Sequence, residues 1–173
     1  MSEKDFKILG IAASLRRASV HRGIVRAAHE VAPEWMSCED FDLARIPYFN
    51  QDIEDQGKPE PVKELREKIR AYDAALVATP DYDYAIPGIL SSALDWCLRS
   101  RYELLLHPPA YVMSEPQMLI PFSRQKFDAE TGDLVDERTR ERLRRFLMAL
   151  AAWTQRLEEP LKARLRQARE RRA

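Results

Sequence analysis

Two segments of this chain concentrate the side chains that could grip a ligand. The first is Ala13-Ser14-Leu15-Arg16-Arg17-Ala18-Ser19-Val20-His21-Arg22, directly after the apolar run Ile8-Leu9-Gly10-Ile11-Ala12. The second is Thr79-Pro80-Asp81-Tyr82-Asp83-Tyr84-Ala85-Ile86-Pro87-Gly88, directly after Ala74-Ala75-Leu76-Val77-Ala78. Each reads as strand, loop, helix, and ligands of open α/β sheets bind where loops leave the carboxyl ends of the strands. Two serine hydroxyls, the Arg16 guanidinium and the amides of a helix N-terminus suit a phosphate. A neighbouring loop with two tyrosines suits a flat ring. Plainer readings stand beside these. Ser19 caps a helix while the arginines are solvated, and Tyr82 and Tyr84 pack at an interface with Asx turns at Asp81 and Asp83.

Other chemistries have less behind them. Cys38 and Cys97 fit no metal or redox spacing and read as thiols in a reducing cytosol. His21, His29 and His107 are scattered and make no metal site. The formal net charge is zero, but residues 156–173 hold seven Lys or Arg against three Glu. That basic end lacks the aromatic interleaving of a nucleic-acid surface, so no nucleic-acid partner is expected. No apolar stretch reaches the ~20 residues of a membrane span, so no membrane partner is expected either. The polar start Met1-Ser2-Glu3-Lys4-Asp5 leads straight into a strand and does not read as a signal peptide.

The elements that must position the two loops follow from periodicity. Phe6 to Ala12 predicts a buried parallel strand. Ser19 then caps a helix with Ile24, Val25, Ala28 and Val31 on one face, ending before Pro33. Residues 37–43 predict an edge strand, residues 44–60 a loop, and Val62, Leu65 and Ile69 a helix. Ala74 to Ala78 predicts another strand, and Pro87-Gly88 opens a helix through Leu90, Leu94 and Leu98. Tyr111-Val112-Met113 and Met118-Leu119-Ile120 read as extended, and residues 136–158 as the longest helix. The alternation predicts one doubly wound α/β domain.

The two loops resemble the NADPH-dependent FMN reductase family, whose flavodoxin-like members include quinone, chromate and azo-dye reductases. The family's first loop reads G-S-x-R-x-x-S-x-N-R. Ser14, Arg16, Ser19 and Arg22 match it, while Ala13 and His21 stand where the family has Gly and Asn. The second resembles T-P-E-Y-N-Y-S-I-P-G, followed by L-K-N-A-L-D-W; here Leu94-Asp95-Trp96 closes the run. Lys126-Phe127-Asp128 is also similar to the family. After the L-D-W helix the family has a fourth strand, a Gly-rich loop and a helix with R-x-x-Y. Here Arg99-Ser100-Arg101-Tyr102 follows Leu98 almost at once, so about 25 residues are missing relative to the family.

The resemblance implies a flavodoxin-like doubly wound parallel sheet in three layers over residues 1–157, followed by a basic helix or tail over 158–173. The missing stretch implies that the fourth strand is absent, leaving strands near 7–12, 37–43, 74–79 and 110–119 in the order 2-1-3-5. It implies FMN, with the phosphate at Ser14, Arg16, Ser19 and His21 and the ring against Pro80, Asp81, Tyr82, Asp83 and Tyr84. NADPH or NADH would be the donor and a quinone or other small molecule the electron acceptor. The reaction would be ping-pong hydride transfer, resting on stacking geometry with no essential acid or base and no metal. The alternative is a flavodoxin-like binding or scaffold protein that lost flavin with the missing loop. A cytoplasmic homodimer is expected through the helix at 87–98. Leu94 and Trp96, about 200° apart, cannot both face the sheet there. Arg99 and Tyr102 match positions that build larger family assemblies, so a tetramer is the further state implied.

Overall fold

The computed structural model of the chain describes residues 5–81, 85–98, 111–122 and 125–170; the side chains of Leu98 and of residues 158–170 lie outside it. Three parallel strands carry the fold: β1 (Phe6–Ala12), β2 (Met36–Phe41) and β3 (Ala74–Ala78), in the order β2-β1-β3. β1 is central. It pairs from Phe6 with Met36 to Ile11 with Phe41 on one side, and from Ile8 with Ala74 to Ala12 with Ala78 on the other. A continuous apolar run suits that place, because both of its faces are covered. Phe6 and Ile8, with Leu76 of β3, face a cluster holding Ala27, Ala28, Leu143 and Leu147. Leu9 and Ile11 face a second cluster holding Val62, Leu65, Leu90, Ala93 and Trp96.

Helices supply the two outer layers. α1 (Val20–Val31) and α5 (Glu137–Glu170) cover the first face, and α3 (Glu60–Ala71) and α4 (Gly88–Leu98) cover the second. The architecture is therefore the three-layer α/β arrangement expected for a flavodoxin-like chain. Residues 44–60, expected as a loop, hold part of a 3-10 turn at Leu43–Arg45 and a short helix α2 (Gln51–Asp55). Asp42 and Asn50 cap them through Ala44 N and Asp52 N. Ile69, expected on the buried face of α3, is exposed.

The expected strand near 110–119 is not found among the described residues, and the order 2-1-3-5 is corrected to 2-1-3. Residues 111–120 carry no strand. Pro116 and Pro121 offer no amide donor to a ladder. Met113, Met118 and Ile120 pack instead against the core beneath α1 and α5.

α4 settles which of its apolar residues turn inward. Trp96 is 0% exposed and Leu94 40% exposed, so the surplus apolar surface lies at Leu94. Trp96 Nε1 donates to Pro47 O at 2.9 Å, and its ring meets Phe49 edge-on at 4.9 Å. The loop after β2 is thereby tied to α4, and Ser92 Oγ completes the tie by accepting from Phe49 N at 2.7 Å. Arg66 of α3 is buried and donates to Trp96 O at 3.0 Å and Cys97 O at 3.1 Å. These are carbonyls of the last turn of α4, which have no partner inside the helix.

Candidate functional site

Register places the two loops. β1 and β3 are adjacent, parallel and level at Ala12 and Ala78, so the segments after them leave the same edge of the sheet side by side. Ala13 N donates to Ala78 O at 2.8 Å, joining the two exits.

The first loop ends in a capped helix. Ser19 has extended backbone (φ −80°, ψ 128°), and its Oγ accepts from His21 N at 3.2 Å. The same oxygen lies 3.4 Å from His21 Nδ1. Ser19 is 1% exposed, so its hydroxyl serves the first turn of α1. Ser14 is half-buried and Arg16 is exposed beside it on the loop. Burial, and then the nearby Arg16 charge, hold the His21 pKa below its ordinary value. The Arg16 charge is thus within electrostatic reach of His21 at the α1 N-terminus.

The neighbouring arginines are engaged elsewhere. Arg22 pairs with Asp42 at 2.8 Å, and Arg26 with Asp133 at 2.6 Å. Among the described residues no carboxylate pairs with Arg16. A basic side chain, amides of a helix N-terminus and a half-buried hydroxyl therefore meet at one edge of the sheet. That donor set fits the phosphate of FMN.

The second loop is described at its ends. Pro80 is buried, Asp81 is exposed, and Thr79 Oγ1 donates to Pro80 O at 3.2 Å. Tyr82, Asp83 and Tyr84, expected against the ring, lie outside the described residues. So do Arg99 and Tyr102.

Two neighbours of the site were not among its expected residues. One is Asp42, which holds Arg22 while capping the 3-10 turn. The other is the turn between Phe127 and Leu134, an isolated antiparallel pair, which lies against the start of α1. Its signal was the string Asp128-Ala129-Glu130-Thr131-Gly132-Asp133, rich in turn residues.

A parallel sheet carrying two loops at one end, between two helical layers, defines a flavodoxin-like α/β protein, and comparison with known proteins narrows the class. A family model, NADPH-dependent FMN reductase, matches residues 6–118. The chain is 33% identical to an NAD(P)H-dependent FMN reductase of Pseudomonas aeruginosa, with 88% of this chain and 97% of that protein covered. It is 32% identical to an NADPH:quinone oxidoreductase of Arabidopsis thaliana, covering 88% and 93%. It is 27% identical to a quinone reductase of Escherichia coli, covering 91% and 100%. Among solved structures, the flavoenzyme NAD(P)H:(acceptor) oxidoreductase FerB of Paracoccus denitrificans superposes with a TM-score of 0.69. That comparison has 23% identity, covers 87% of this chain and 98% of FerB, and bears on the fold.

The chain belongs to the NADPH-dependent FMN reductase family. Membership makes it an oxidoreductase whose cofactors are FMN and a nicotinamide nucleotide. The alignment with the Pseudomonas protein spans 181 positions, more than the 173 residues of this chain, so that relative carries positions this chain lacks.

Proposed function

We propose that this chain holds FMN at the β1 and β3 loops and uses NAD(P)H to reduce a quinone or a similar small acceptor. The observation that carries the reading is the register of β1 and β3, which sets both loops at one edge of the sheet. When bound, FMN would supply reversible hydride and electron transfer between a nicotinamide and the acceptor, with donor and acceptor using the site in turn as a ping-pong scheme requires. The chain's own part is binding and orientation. Arg16 and the amides at the start of α1 hold the phosphate, Ser14 adds a hydroxyl, and Ser19 fixes the helix start from which the amides point. His21 donates one ring N–H there. Pro80 to Tyr84 would lie along the ring.

The chain is proposed to act as a homodimer, with the exposed Ile86 and Leu94 near the seam. The free thiols of Cys38 and Cys97 support a reducing, cytoplasmic setting.

FMN titration of the wild type and of Arg16→Ala, followed by flavin fluorescence, tests the phosphate assignment. A charge-assisted contact to a phosphate contributes about 1.5–3 kcal/mol, so Arg16→Ala should weaken binding by roughly 10- to 100-fold. Equal affinity in both proteins would remove the phosphate from this loop. A wild type that binds no FMN would overturn the FMN reading.

A further inference from the structure

The turn at Asp128–Asp133 is built more rigidly than a surface connection requires. Asp128 Oδ1 accepts from Glu130 N at 2.9 Å, Thr131 N at 2.8 Å and Thr131 Oγ1 at 3.0 Å. Gly132 N donates to Asp128 O at 3.0 Å, and Asp128 N donates to Asp133 O at 2.8 Å. The turn is locked internally before it touches anything else.

What it touches is the start of α1. Gly132 has φ +74°, and a Cβ there would lie 2.8 Å from Ala18 C and 3.0 Å from Ser19 O. A Cβ on Gly23 would overlap the Gly132 carbonyl oxygen. Two glycines thus meet face to face, and the turn lies closer to the first turn of α1 than any side chain would allow. Arg26, one turn further along α1, then clamps it. Its Nε donates to Asp133 Oδ1 at 2.6 Å and its guanidinium also donates to Thr131 O at 3.0 Å.

We propose that this turn is the brace of the phosphate loop, with Asp133 a positioning residue that acts through Arg26. The inference rests on the FMN reading above and names what holds that site in place. The physical reason lies in where the clamp acts. Ser19 ends the phosphate loop and fixes the amides that point at the ligand. The ion pair is half-exposed, with side-chain exposures of 39% and 50%, so its contribution to global stability is small. Displacement of a ligand-gripping amide by a fraction of an ångström is costly to binding, because donors work only at the right distance.

The test compares FMN with riboflavin, which has the same ring and no phosphate. Affinities for both are measured by fluorescence on the full chain for the wild type, Asp133→Asn, Arg26→Gln and the double variant. Amide exchange at residues 14–23 is measured without ligand. Asp133→Asn should lose FMN affinity about 3- to 30-fold, riboflavin affinity should hold, and exchange at 14–23 should quicken. Arg26→Gln should do the same, and the double variant should be no worse than either alone. Equal losses for the two flavins, or unchanged FMN affinity and exchange, would overturn the brace. A wild type that binds neither flavin would overturn the FMN reading and this inference with it. A wild type that prefers FMN, with Asp133→Asn unaltered, would overturn this inference alone.

Discussion

His21 reports on the site more directly than any other residue. Burial and the Arg16 charge lower its pKa, so the folded chain keeps the ring neutral where the unfolded chain takes up a proton. The folded state therefore binds fewer protons, and stability falls as pH drops below the unfolded value of about 6.5. A phosphate dianion bound beside His21 would reverse the effect of Arg16 and raise the pKa. An NMR titration of His21, alone and with saturating FMN, should show a low value that rises on binding. An unchanged value with FMN bound would place the phosphate elsewhere. At this scale, part of the site was legible in the sequence. Ser19 stands just before the periodic face of α1, and a serine there reads as a cap. The meeting of Gly23 with Gly132 was not legible, because nothing local in either stretch points to a contact so distant along the chain.

At the scale of elements, Arg66 ties α3 to the end of α4. Burial lowers its pKa, and its hydrogen bonds to Trp96 O and Cys97 O supply partners for last-turn carbonyls. A guanidinium suits that position because the carbonyl end of a helix carries partial negative charge. Arg66→Met keeps the packing stem and removes the donors. It should lower unfolding stability by about 1.5–3 kcal/mol, measured by urea titration. A variant as stable as the wild type would show that the cap contributes nothing. The strands β1 and β3 and the helices α1, α3 and α4 were readable from apolar periodicity. The inward face of α4 was not, because it is apolar on several sides and its partners Pro47 and Phe49 come from another loop. Residues 111–120 misled for a related reason. Their apolar residues suggested a strand, but Met113, Met118 and Ile120 pack on the core beneath α1 and α5 while Val112 and Leu119 are exposed, and prolines limit pairing.

For the molecule as a whole, the sheet order β2-β1-β3 was legible because a parallel βαβ chain leaves few ways to connect its strands. Assembly follows from what the fold leaves outside. Trp96 is in the core, so a homodimer must use other residues of the α4 region, and Ile86 and Leu94 are exposed there. Sedimentation at micromolar concentration should give a dimer, and Leu94→Glu should give a folded monomer. A wild type that stays monomeric would end the dimer proposal. Electron transfer from NADPH to a quinone by the assembled protein can be followed in one anaerobic experiment. The protein is loaded with FMN, given one equivalent of NADPH, freed of nicotinamide and then given a quinone. The visible flavin absorbance should bleach with NADPH and return with the quinone. Bound flavin that keeps its colour under NADPH would contradict the proposed function.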